Sequence, residues 1–221
     1  FLPRAPQHAL GDDGHPPRGG FLSPIALPRR MFAGARLRFR RALRLGATAV
    51  REGEIRDVAL KQGRSGTLAF VTVAYRVVQD GATCLEEEQD IVYRDQGAPV
   101  PPPAMREAPP APADAPDGAW TRVVRPDPRL LFRFSALTFN AHRIHYDRDY
   151  ARDVEGYPGL VVHGPLTALL LLELVRAHTD RPIAGFAFRG EAPLFDLAPF
   201  RLVARPAGDR LALEALAPGG A

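Results

Sequence analysis

Apolar and polar positions alternate over much of the first half of the chain. Residues 35–43 (ARLRFRRAL) set arginine between apolar side chains, and residues 67–78 (TLAFVTVAYRVV) are rich in β-branched and aromatic residues. A period of two puts successive side chains on opposite faces of an extended backbone, so both segments are predicted strands. Residues 84–93 (CLEEEQDIVY) end in another strand-like run, and residues 51–61 supply a further one. Turn signals fall between them at residues 51–53 and 63–66 and at Asp80-Gly81, a strong hairpin pair. No long helical period shows here, and residues 1–30 read as loop.

The second half has a different rhythm. Residues 130–136 (LLFRFSA) read as a strand, followed by a polar stretch rich in histidine and a loop over residues 155–164. Residues 165–178 (PLTALLLLELVRAH) are apolar nearly all round, which predicts a helix inside a core. Pro165 suits the first helical position, and Gly164 before it is an acceptable cap. Three strand-like runs follow at residues 183–189, 200–204 and 211–216. A strand, a loop, a buried helix and several strands predict an α+β fold in which a long antiparallel sheet curls round one helix. The first half offers strands to extend that sheet.

Residues 96–128 stand apart, with ten of the 23 prolines. Proline fixes φ and removes the backbone donor, so this stretch is expected to be an extended spacer. The expected organisation is therefore residues 1–95, a linker over 96–128, and residues 129–221.

Composition narrows the function classes. At 46% hydrophobic and 24% charged, the 221 residues suit a globular protein. The net charge of +4 is almost all arginine, with Lys61 the only lysine. Arg36, Arg38, Arg40, Arg41 and Arg44 are spread among apolar residues, without the basic and aromatic cluster of a nucleic-acid binder. A mild positive field suits a polyanion such as a nucleotide-tailed thioester. Cys84 is the single cysteine, so no intramolecular disulfide can form, and a cytoplasmic location is expected. The longest apolar run, residues 166–172, is far short of the ~20 residues of a membrane span. The sequence opens at Phe1 without methionine, which fits a trimmed amino terminus.

Chemistry concentrates in residues 140–147, where Asn140, His142, His145, Tyr146 and Asp147 lie within eight positions. His145 is the natural general base, since an unperturbed imidazole titrates near neutral pH. His163-Gly164-Pro165 adds a second element. The first N–H groups of a helix have no partner within it and carry the positive end of its dipole. The Gly164 N–H can therefore polarise a thioester carbonyl and stabilise the enolate formed when a proton leaves the α carbon. Blander readings compete. A polar cluster after a strand is often a solvated loop, and His163 could be a cap or a packing side chain. His142, His145 and Asp147 as metal ligands lack a fourth donor and a diagnostic spacing. Cys84 has no base near it in sequence, residues 166–175 read as core, and Glu86, Glu87 and Glu88 read as a solvated face.

The segment LFRFSALTFNAHRIHYDRDYARDVEGYPGLVVHGPL, residues 131–166, resembles the MaoC-like dehydratases. The resemblance is closer to the mitochondrial-type 3-hydroxyacyl-thioester dehydratase branch and to mesaconyl-CoA hydratase-like proteins. Residues 1–95 resemble the amino-terminal half of the same proteins. What this implies is a double hot-dog, one half carrying the catalytic motif and the other shaping the acyl tunnel. It implies addition of water across an enoyl thioester, or its removal, without metal, nicotinamide or flavin. In the family an Asp and a His five positions later hold the catalytic water. His145 matches, but Asn140 stands where the Asp is expected, with His142 and Arg143 in place of the family's Asn and Pro. An amide can hold water but cannot take a proton. The expected catalytic set is His145, Asn140 and Gly164, with His142, Tyr146, Asp147, His163 and Pro165 toward the substrate and no metal. The expected partner is an acyl-CoA or acyl carrier protein thioester, with no nucleic acid and no membrane, and a homodimer is compatible with the fold. A hot-dog thioesterase and a non-catalytic acyl-thioester binder stay open as alternatives.

Overall fold

The computed structural model describes residues 5–17, 19–63, 66–95 and 118–218. They form two compact units, one drawn from residues 19–95 and 181–191, the other from residues 5–17, 118–180 and 192–218. The expected linker lies outside the described residues over 96–117; its last part is no spacer, because Trp120–Val124 pairs as a strand and a helix starts at Pro128.

The first unit is a five-stranded antiparallel sheet in the order β2-β3-β4-β1-β6. Its strands are β1 (Arg29–Phe39), β2 (Val50–Gly63), β3 (Gly66–Gln79), β4 (Ala82–Arg94) and β6 (Gly185–Arg189). The hairpin signal at Asp80-Gly81 is the β3–β4 turn, and both residues have positive φ (51° and 73°). Alternation on β3 buries Ala69, Val71 and Val73, which pack with the fully buried Tyr93 of β4. Residues 183–189 were expected among the strands of the carboxy-terminal half. Instead β6 joins the first sheet, where Ala35 pairs with Phe188 and Leu37 with Phe186. Gly34 makes this pairing possible, because a Cβ there would lie 2.4 Å from the Phe188 carbonyl oxygen.

The second unit holds a three-stranded sheet, β5 (Trp120–Val124), β7 (Phe200–Ala207) and β8 (Arg210–Leu216), in the order β5-β7-β8. The predicted strand at residues 130–136 is instead helix α1 (Pro128–Thr138). Its start is built in: Asp127 accepts a hydrogen bond from the Leu130 N–H at 2.8 Å, and Pro128 occupies the first turn. Leu131 and Ser135, one helical turn apart, are its buried residues. The short apolar run was ambiguous between the two periods, and the cap decides it.

Helix α2 (Gly164–Arg176) packs on β5, β7 and β8, and buries Leu166, Ala168, Leu170, Leu171, Leu174 and Val175. Its cap is His163, not Gly164: the His163 carbonyl accepts from Thr167 N–H at 3.1 Å, so Pro165 is the second helical residue. Among the described residues no helix is long and apolar enough to cross a membrane.

Candidate active site

The loop after α1 is shaped by its own polar side chains. Phe139 ends the helix in the left-handed region (φ 54°), and Asn140 Oδ1 then accepts from the His142 N–H at 3.1 Å. The Tyr146 hydroxyl donates to the Ala141 carbonyl at 2.9 Å. Asp147 accepts from the Tyr150 N–H at 3.0 Å and from the Arg143 guanidinium at 2.8 and 3.0 Å. Asn140, Tyr146 and Asp147 thus hold the loop around a short 3-10 turn, Arg143–His145, that delivers His145 to the interior.

His145 is buried, with 8% of its surface exposed. Its Nδ1 lies 2.7 Å from the Val161 carbonyl oxygen. A carbonyl only accepts, so Nδ1 carries the proton and Nε2 keeps its lone pair. The acceptor is itself held in place. Val161 N–H donates to Ile144 O at 3.0 Å, Val162 N–H donates to Leu194 O at 2.8 Å, and Val161 bridges to Phe195. The buried Asp196 carboxylate completes the clamp, accepting from the Leu160 N–H at 2.9 Å and from Arg148.

The His163 ring stacks on that of His145, with centroids 3.6 Å apart and planes 18° apart. Its Nε2 lies 2.9 Å from Ser135 Oγ of α1, and the Phe134 ring meets it edge-on at 4.9 Å. Ser135 was missed because residues 130–136 read as a strand. The helical spacing from Leu131 was the signal that could have found it. His163 is 1% exposed, and its buried Nδ1 has no hydrogen-bond partner among the described residues. On the other side His142 meets His145 edge-on at 5.4 Å, and His15 lies 4.2 Å from His142. Four of the six histidines therefore form a row. Asp13 touches the end of it, with Oδ2 3.3 Å from His15 Nδ1. Neither Asp13 nor His15 was singled out from sequence, where residues 1–30 read as loop.

Burial sets the protonation of His145 and His163. It pushes His145 down to about 4, although the hydrogen bond to Val161 opposes the shift. His163 is lowered further, by burial and then by the charge His145 would carry. Both rings are neutral at pH 7, the state a general base requires. Asp13 behaves oppositely. Burial alone would raise its carboxyl, but hydrogen bonds from the His15 ring and N–H, and the charges of His15 and His142, hold it well below the usual carboxylate range. The site unites His142, His145 and His163 with the start of α2 at Gly164 and Pro165. It adds Ser135, Asp13 and His15 to the expected residues.

Comparison with known proteins gives this arrangement a family. The hydroxyacyl-thioester dehydratase type 2 family model matches residues 1–196. Mesaconyl-C(4)-CoA hydratase of Chloroflexus aurantiacus is 67% identical over 221 residues, spanning 100% of this chain and 77% of that protein. HtdX of Mycobacterium tuberculosis superimposes with a TM-score of 0.66 at 20% identity, over 86% of this chain and 72% of that one. A second M. tuberculosis protein with a double hot-dog fold matches with a TM-score of 0.50 at 18% identity, over 84% and 68%. The two antiparallel sheets and few helices are those of an α+β double hot-dog. The chain belongs to the hydroxyacyl-thioester dehydratase type 2 family and is a hydro-lyase.

Proposed function

We propose that this protein reversibly hydrates an enoyl-CoA thioester, that mesaconyl-C(4)-CoA is its substrate, and that His145 is the base. The observation that carries the catalytic part is the buried neutral His145 ring, its Nδ1 tied to Val161 O and its Nε2 left basic, beside the start of α2. Support for the substrate comes from the 67% identity with mesaconyl-C(4)-CoA hydratase along the whole chain.

In the proposed reaction Nε2 of His145 takes a proton from water while the water oxygen bonds to C3. The C2=C3 π pair moves onto the thioester carbonyl, and the resulting oxyanion faces the Gly164 N–H. Asn140 donates to the water through its amide, since its Oδ1 is engaged with His142. An open hollow along α1, lined by Arg129, Leu130, Arg133, Phe134 and Leu137 among others, is the proposed approach for the thioester. Phe134 links it to His163. The pantetheine arm would lie on its apolar side chains and the nucleotide phosphates near Arg133. The proposed compartment is the cytoplasm, in keeping with a free buried Cys84.

The test is the conjugated thioester absorbance of mesaconyl-C(4)-CoA and crotonyl-CoA with purified protein. A fall without thiol release, fastest for the mesaconyl ester, supports the reading. Thiol release at constant double-bond content would make the protein a thioesterase, and binding without either change would make it a non-catalytic binder.

A further inference from the structure

Hydration needs one proton taken from water and another delivered to carbon, and the carboxylic acid that the MaoC-like resemblance implies is absent: residue 140 is an amide. We propose that Asp13 and His15 replace it, with His15 exchanging the proton at C2 while His145 acts on the water that adds at C3. This rests on the hydratase reading above.

Three observations converge on the pair. Asp13 holds His15 twice, accepting from its N–H at 2.8 Å and lying 3.3 Å from its Nδ1. The His15 ring stands 4.2 Å from His142, which in turn meets His145. The segment is also docked rather than loosely attached. Arg143 N–H donates to Asp13 O at 3.0 Å, and the Arg143 guanidinium to Asp12 O at 3.1 Å. Gly14 lets it come this close: its φ is +85°, and a Cβ would lie 1.7 Å from the Ala141 carbonyl oxygen. The His15 side chain is 13% exposed, so it is enclosed yet not sealed in.

A carboxylate at hydrogen-bond distance favours the imidazolium form, the state that can donate a proton. After water adds at C3, the enolate pair returns to C2 and takes the His15 proton. The N–H bond breaks, the C2–H bond forms, and His15 is left neutral. The proton gained by His145 passes back to His15 through His142 or solvent before the next turnover. Dehydration runs the same steps backwards.

The experiment uses the full chain with mesaconyl-C(4)-CoA. His15→Gln keeps a polar side chain of similar reach but cannot shuttle protons. It should lower kcat about 100- to 1,000-fold while KM stays within about threefold and the thermal midpoint holds. Asp13→Asn should cost less, about tenfold, and move the alkaline limb of the kcat profile down by about one pH unit, because an imidazolium without its carboxylate loses its proton earlier. Asp12, His142, Arg143, His145 and Tyr150 surround the pair and are unchanged in both variants. Wild-type kcat and pH profile in both variants would overturn the proposal. So would an unmoved alkaline limb in Asp13→Asn, whatever its rate, since a merely structural pair leaves that limb in place. Absence of hydration by the wild-type protein is a different result and would remove the hydratase reading itself.

Discussion

The five-stranded sheet and the helix-bearing unit use polar residues in opposite ways. On the sheet, exposed charges pair across strands: Arg36 with Glu88 at 2.9 Å and with Asp90, Arg40 with Glu86 at 2.8 Å, and Arg76 with Glu52 at 2.6 Å. These groups sit in water, which screens them, and each pair contributes little. The other unit buries His142, His145, His163 and Ser135, and hides the Asp196 carboxylate under Arg148. There the low dielectric strengthens each hydrogen bond and penalises any missing one. The cross-strand ion pairs of the sheet thus lie at its surface, while the other unit takes His142, His145 and His163 inside.

Substitutions can break this contrast, starting with the largest effect. His145→Ala should lower hydration about 1,000-fold or more with the fold retained, checked by initial rates beside circular dichroism. Asp196→Ala should destabilise by about 2–3 kcal/mol, because the Leu160 N–H loses its acceptor and Arg148 its partner, and chemical denaturation reads it directly. Activity should fall with it as the Val161 acceptor loosens.

Acidification comes next. His145 sits near 4 in the folded protein against 6.5 for the free ring. Between these values the unfolded chain binds a proton that the folded chain refuses. Stability from this residue is therefore complete above about pH 6.5 and declines as pH falls toward 4, by on the order of 3 kcal/mol. Thermal midpoints from pH 7 to 4.5 should show the decline, and His145→Gln should lessen it, leaving the part that the buried His163 ring contributes. The smallest effect belongs to the sheet: Arg36→Ala should cost less than about 1 kcal/mol, and salt should reduce that cost. A larger loss would show that the surface pairs matter more than their exposure implies.

Much of the sheet was legible from residue order. The alternation at residues 67–78, the Asp80-Gly81 turn and the runs at 200–204 and 211–216 all report a local period of two, and each is a strand or a turn in the structure. Helix α2 was equally plain, because thirteen residues are long enough to separate a helix from a strand. Residues 130–136 were misread because seven residues are too few for the apolar period to decide. Asp127 and Pro128, which do decide it, lie just outside the run. The position of β6 was hidden for another reason: strand partners are chosen by sheet closure and by room at Gly34, neither of which is local.

Residue order alone determined which side chains are available for chemistry: a histidine at 145, an amide and not a carboxylic acid at 140, and a glycine-proline start to a buried helix. These follow from chemical identity and short-range geometry, so no tertiary information was needed. Only the folded chain decided that His15 and His163, some 130 and 18 residues from His145 in sequence, flank it in one row and that Val161 fixes its tautomer. Contacts of that range depend on which segments share a core, and burial, which keeps the His145 and His163 rings neutral, arises only once the core has closed.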